Sequence, residues 1–255
     1  WSQYLTLYIS DEPHFDRPEV TKWLGEVIGY AREAAPGITV YSSTWRHNKA
    51  WDGILNHWGV GQYGCFPVAE MAERRKAGDK IWFTTDGQME IDTPYAACER
   101  MLPWYCFAHD VSGYEFWGLS WYTYDPYRYG WHSFIQQADE PGEGKSYNVR
   151  YPNGDGYLAY PPEPLGRTEP VSSIRLEQAR DGIEDYEVFL ALSRLVAAKP
   201  ALAPRIEPTL KKVRDLMVIP NAGGYRTSDW LPDPTLPARL RLEAGDLLAR
   251  LETAQ

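Results

Sequence analysis

The chain has 255 residues, 44% of them hydrophobic, enough for one barrel-sized domain or two small ones around a sizeable core. Its 26 basic and 35 acidic residues leave a net charge of −9, with no basic stripe to follow a phosphate backbone, which excludes nucleic acid as a partner. No run reaches the roughly 18 apolar residues that cross a bilayer, so no membrane insertion is expected.

No charged start followed by an apolar segment reads as a signal peptide, and Trp1 stands where an initiating Met would be, so the chain is expected to lie inside a longer protein. Cys65, Cys98 and Cys106 are spaced too irregularly for a disulfide framework or a zinc site and read as buried thiols; neither metal nor cofactor is expected. The 11 Trp and 18 Tyr exceed what a core of this size needs, and many sit beside Asp, Asn, His or Gly. Sugar-binding clefts use this mixture, rings stacking on pyranose faces while polar neighbours bond the hydroxyls; plain aromatic packing is the other reading.

In chain order, Tyr4 to Ser10 is an aromatic and β-branched run that suits an enclosed strand and ends in Asp11-Glu12-Pro13. Pro13 lacks a backbone donor, so the ladder should stop there and present both acids at a strand end, the edge where parallel α/β proteins bind ligands. Neighbouring side chains on an ideal strand face opposite ways, so both acids serve one site only if the backbone twists at this point. The alternative is that Asp11 caps a turn and Glu12 is solvated. Residues 17–35 predict a helix with Val20, Trp23, Leu24, Val27, Ile28 and Ala31 on its apolar face, closed by Pro36-Gly37. A second strand over 38–45 completes a β-α-β unit ending in Trp45.

A weaker strand over 54–60 precedes a helix at 67–77, and 80–86 repeats the strand pattern up to Asp86. Thr93-Pro94 opens a further helix that Pro103 should end or kink, and 114–122 reads as a fifth strand ending in Trp121 and Tyr122. Strands alternating with helices point to a (β/α) barrel or a doubly wound sheet. The Gly-, Pro- and Tyr-rich stretch 123–170 is long enough to be functional, with a hairpin expected at 151–160 around Asn153-Gly154.

Ser172 or Ser173 caps the next helix, whose expected buried stripe is Leu176, Ala179, Ile183, Tyr186 and Leu190. Arg175, Glu177, Arg180, Asp181, Glu184, Asp185 and Glu187 then form a solvated opposite face. Two more amphipathic helices, near 204–217 and 236–251, follow. The division expected is 1–200 for the barrel part and 201–255 for a helical extension packed on it.

Two segments together, Ile9-Ser10-Asp11-Glu12-Pro13 and the helix segment from Ser172 to Glu187, most specifically its Arg180-Asp181-Gly182-Ile183-Glu184-Asp185-Tyr186-Glu187 part, resemble the catalytic domain of glycoside hydrolase family 123. The Trp-rich strand ends and Gly154-Asp155-Gly156-Tyr157-Leu158-Ala159-Tyr160-Pro161 add to the resemblance, which covers roughly residues 4–195. It implies an α/β fold of the (β/α)8 TIM-barrel type, present here as strands 4 to 8, with the first three upstream of Trp1. It also implies a bacterial retaining exo-enzyme that releases a terminal β-linked N-acetylhexosamine, N-acetylgalactosamine being the expected sugar, extracellular or periplasmic in the full-length protein and acting on a glycan or glycoconjugate without metal or cofactor; it says nothing of oligomeric state.

By the same resemblance, Glu12 is the general acid and later base, and Asp11 orients the substrate's 2-acetamido group, whose carbonyl oxygen attacks the anomeric carbon. Substrate assistance removes the need for a carboxylate nucleophile about 5 to 5.5 Å from the acid, so the two acids can be sequence neighbours. Position at strand ends suggests Trp45, Trp82, Trp121 and Tyr122 as sugar-stacking residues, and His57, Asn56 and Asp86 as hydroxyl partners. A tyrosine holding the acetamido carbonyl is expected near Thr84, where the sequence has Phe83-Thr84-Thr85; Tyr122 or Tyr63 are the substitutes. The runner-up readings are a glycosidase of another linkage and a non-catalytic carbohydrate-binding protein on the same fold.

Overall fold

Five strands hydrogen-bonded in chain order, β1-β2-β3-β4-β5, form the sheet on which the acid pair sits. The computed structural model describes residues 5–14, 17–44, 46–61, 67–85, 97–122, 125–129, 135–138, 147–150, 154, 156–219, 233 and 235–253. Two compact units divide the chain: Trp1–Thr84 with His109–Glu115 and Val218–Arg226, and Thr85–Ala108 with Phe116–Met217 and Thr227–Gln255.

In the first unit, β1 (Thr6–Ser10), β2 (Thr39–Thr44), β3 (His57–Gly61) and β4 (Lys80–Thr85) pair in parallel, and β5 (Gly113–Phe116) closes the order. The result is an α/β fold with a curled half-barrel sheet. Helices α1 (Pro18–Ala34) and α2 (Val68–Lys76) are the crossovers that parallel pairing requires. The register sets Tyr41 beside His57, Ser43 beside Gly59, and Gly59 beside Trp82. Side chains alternate along a strand, so these residues share one face, while Val40, Trp58, Val60, Ile81 and Phe83 make the buried core on the other.

Three local expectations change here. β3 begins at His57 because Trp51 heads a short turn that takes in Ile54 and Leu55, and Asn56 turns its amide onto β2. α1 buries Ile28, but Trp23, Val27 and Tyr30 are exposed, so its expected apolar face is only partly covered. β5 stops at Phe116 rather than running to Tyr122.

In the second unit, residues after β5 turn aside to meet the 156–159 segment. Trp121 N–H donates to the Gly156 carbonyl and Leu158 N–H to that of Leu119. A Cβ on Gly118 would lie 2.2 Å from the Gly156 carbonyl oxygen, so only glycine fits that crossing. α4 (Pro126–Tyr129) follows, then β6 (Ile135–Ala138) antiparallel to β7 (Tyr147–Arg150). β8 (Ala159–Tyr160) pairs with β9 (Val171–Ser172), not within the hairpin expected at 151–160, of which 151–153 and 155 lie outside the described residues.

α3 (Ala97–Ala108) continues through Pro103. An internal proline costs about 3 kcal/mol; here its neighbours Met101, Leu102, Trp104 and Tyr105 are all buried, and their packing offsets it. Ser173 caps α5 (Ile174–Ala198) as expected, its Oγ accepting from Leu176 N–H. The buried stripe of α5 is rotated from the one expected: Arg175, Ala179, Gly182, Asp185, Phe189 and Leu192 face inward, and Ile183 is exposed. Asp185 pairs with Arg100 of α3 and with Arg241 of α7 (Leu236–Thr253), and accepts from Trp104 Nε1. α6 (Ala203–Leu216) buries Ile206, Leu210 and Val213. Cys106, in α3, is buried, and burial pushes its thiol up to about 12. Among the described residues, no helix is long and apolar enough to cross a membrane.

Candidate active site

The acids emerge where β1 stops being regular. Its pairing with β2 shifts between Tyr8 and Ser10, and Ser42 Oγ donates to the Ser10 carbonyl at 2.6 Å, pinning the residue before Asp11. Glu12 has φ 42°, the left-handed region that non-glycine residues rarely enter, and Pro13 behind it is buried. The positive φ breaks the strict alternation that would send two consecutive strand side chains to opposite faces.

Around Asp11 lies a small hydroxyl network. Tyr8 OH donates to Asp11 Oδ1 at 2.8 Å and Ser43 Oγ donates to the same oxygen at 2.7 Å. Glu12 N–H donates to Ser43 Oγ at 3.2 Å, and the Tyr8 and Ser43 oxygens stand 3.1 Å apart. Burial, with Asp11 beside it, pushes the Tyr8 phenol up to about 12 against the lowering effect of Ser43, so Tyr8 remains a donor near neutrality.

The same face of the sheet continues through Tyr41, His57, Trp82 and Thr84. The Tyr41 ring lies 5.3 Å from that of Tyr8, 4.9 Å from His57 and 5.8 Å from Trp82, and Trp82 meets His57 edge-on at 4.4 Å. Tyr41 OH rests directly on β3, where a Cβ at Gly59 would come within 2.1 Å of it. That hydroxyl has no partner at full hydrogen-bond geometry, yet burial and the nearby Glu115 carboxylate hold it well above the usual phenol range. Thr84 Oγ1 donates to Glu115 Oε1 at 3.0 Å, which puts a third carboxylate on this face. His57 is only 1% exposed with neither ring nitrogen hydrogen-bonded; burial first, then the Lys80 charge, lowers its pKa to about 4, so it is neutral.

The sheet thus gathers Asp11, Glu12, His57 and Trp82 of the residues expected from sequence. Trp121 and Tyr122 belong to the second unit. Trp121 is 56% exposed with its ring 5.4 Å from Trp117, and Tyr122 OH donates to the Ala159 carbonyl at 2.7 Å. Asn56 bonds the backbone at the start of β2, accepting from Val40 N–H and donating to the Ile38 carbonyl. Trp45, Asp86 and Tyr63 lie outside the described residues. Sequence reasoning missed Tyr8, Tyr41, Ser43 and Glu115. The even spacing of Tyr8 from Ser10 and of Tyr41 from Ser43 carried a face signal, but only the strand register puts them together. Among the described residues, no group of three His, Cys, Asp or Glu side chains is arranged to hold a metal ion.

Comparison with known proteins bears on this site. The family described as glycoside hydrolase 123, catalytic domain, matches residues 1–192. Among solved structures, a family 123 glycoside hydrolase from Clostridium perfringens, determined in work on glycolipid glycan hydrolysis, superposes with a TM-score of 0.61 at 17% identity. The superposition covers 98% of this chain and 42% of that one, so the chain spans less than half of that enzyme. No curated protein matches the chain. The family match runs from β1 into α5 and takes in both the acid pair and the Arg180–Glu187 segment: the chain belongs to glycoside hydrolase family 123.

Proposed function

We propose that this chain carries the acid pair of a glycosidase that releases a terminal β-linked N-acetylhexosamine, N-acetylgalactosamine being the first candidate, with retention of configuration. Glu12 protonates the glycosidic oxygen and then activates water. Asp11 receives the N–H of the substrate's acetamido group and stabilises the charge that develops on that nitrogen as its carbonyl oxygen attacks the anomeric carbon. The observation that carries the reading is the left-handed turn at Glu12, which lets two consecutive acids work beside one sheet face. Tyr8 and Ser43 support the same role for Asp11, because two hydroxyls on Oδ1 orient the carboxylate without neutralising it.

The tyrosine expected near Thr84 has a candidate replacement on this face in Tyr41, because the Tyr8 proton is committed to Asp11. On this reading β1 to β5 are strands 4 to 8 of a (β/α)8 barrel whose first three strands precede Trp1, and the full-length bacterial enzyme works outside the cell or in the periplasm. The Clostridium perfringens relative acts on glycolipid glycans, which makes glycoconjugates the first substrates to try.

Glu115 favours a second reading, a glycosidase with its own nucleophile, since a third carboxylate held by Thr84 faces the same side. The test uses the full-length protein and paired 4-nitrophenyl β-glycosides with and without the 2-acetamido group. Glu12→Gln and Asp11→Asn are each expected to lower kcat on the acetamido substrates by about 10²- to 10⁴-fold. Hydrolysis that does not depend on the acetamido group moves the assignment to Glu115. Sugar binding without hydrolysis leaves a carbohydrate-binding protein.

A further inference from the structure

We infer that Ser43 is a positioning residue that sets both acids through one hydroxyl, an inference that rests on the glycosidase reading above. Ser43 is buried in β2, the strand next to β1. Its single proton goes to Asp11 Oδ1, and the same oxygen accepts the Glu12 backbone N–H. One atom therefore fixes the side chain of the first acid and the main chain of the second.

The two acids are held by different means. Asp11 is gripped at Oδ1 by Ser43 and Tyr8, each donating its own proton, so the 3.1 Å contact between those two hydroxyls needs no shared proton. Among the described residues, no hydrogen bond falls on Asp11 Oδ2, which leaves that oxygen to take the acetamido N–H. Glu12 is set by its backbone: a left-handed φ on a residue with a Cβ persists only where the surroundings over-determine it. The bond to Ser43, with the Ser42 clamp on the Ser10 carbonyl, supplies that constraint. Without the Ser43 hydroxyl the turn loses the bond that ties the Glu12 main chain to β2, which shifts the Glu12 carboxyl relative to the glycosidic oxygen and releases half the grip on Asp11.

The experiment compares wild type, Ser43→Ala, Ser43→Thr and Tyr8→Phe in the full-length protein. Each is assayed on a 4-nitrophenyl N-acetyl-β-hexosaminide and on the corresponding methyl glycoside, whose alkoxide leaves only with proton donation. Removing a hydrogen bond to a charged group predicts that Ser43→Ala lowers kcat by about 10- to 100-fold, with KM within about threefold of wild type. The loss is expected to be greater on the methyl glycoside, because displacement of Glu12 removes the general acid. Ser43→Thr keeps the hydroxyl and restores most of kcat. Tyr8→Phe loses about tenfold or less and falls equally on both substrates, since Ser43 still holds the turn.

A folded Ser43→Ala variant with wild-type kcat, or with equal losses on both leaving groups, overturns the Ser43 role and leaves the glycosidase reading standing. Should Ser43→Ala melt early, Ser43→Cys, similar in size but a weaker donor, is put through the same comparison with the same two outcomes. A wild type that hydrolyses neither substrate removes the glycosidase reading, and the role of Ser43 with it.

Discussion

His57 shows how burial decides what a residue can do. Its sequence position, near the start of a strand and beside a Trp, suits a sugar ligand equally well as a wall. The structure encloses it between Tyr41 and Trp82 with both nitrogens unbonded, and burial keeps it neutral. A folded-state pKa of about 4 lies below the ordinary value of 6.5, so the unfolded chain takes the proton first. The neutral ring's contribution to stability is full above pH 6.5, falls as the pH drops toward 4, and amounts to at most about 3 kcal/mol. Thermal melts between pH 4 and 7 are expected to show this slope, and His57→Gln to flatten it; an unchanged slope in the variant assigns the effect to other groups.

At the scale of elements, α5 shows the limit of periodicity. Its cap was legible as one of two serines, Ser172 or Ser173, because a hydroxyl before an apolar-periodic run has one obvious use, and the structure assigns it to Ser173. The phase of its buried face was not. Arg175 and Asp185 are inside, and the reason is that each meets groups from distant sequence: Arg175 lies over the Tyr157 and Tyr160 rings, and Asp185 bonds Arg100, Trp104 and Arg241. A helical wheel counts a charge as polar whether or not a partner waits for it. Asp185 joins α3, α5 and α7, so Asp185→Asn is expected to destabilise the protein by about 2 to 3 kcal/mol, at the low end for a broken buried pair because both arginines keep some solvent contact. Urea denaturation measures this, and a change below about 0.5 kcal/mol sinks the clamp.

For the whole molecule, β1 is the consequential edge. Among the described residues it pairs with β2 alone, and the neighbouring helix α1 exposes Trp23, Val27 and Tyr30. On the barrel reading, upstream strands and helices cover both. Residues 1–255 alone are then expected to self-associate through the open edge, while the full-length protein stays dispersed. Sedimentation velocity on both decides; a dispersed, stable 1–255 chain argues that β1 needs no further strand.

The alternation of strand and helix up to β5, the strand-end acid pair and the family were legible in the sequence, because these depend on local patterns: β-branched runs, caps, proline stops and a short charged signature. Tertiary structure alone decided which residues stand with the acids. Tyr8, Ser43, Tyr41 and Glu115 come from β1, β2 and β5, and their meeting depends on parallel register, on a shift in β1 and on the missing side chain of Gly59. Register is a property of pairing between strands tens of residues apart, and no period within one strand encodes it.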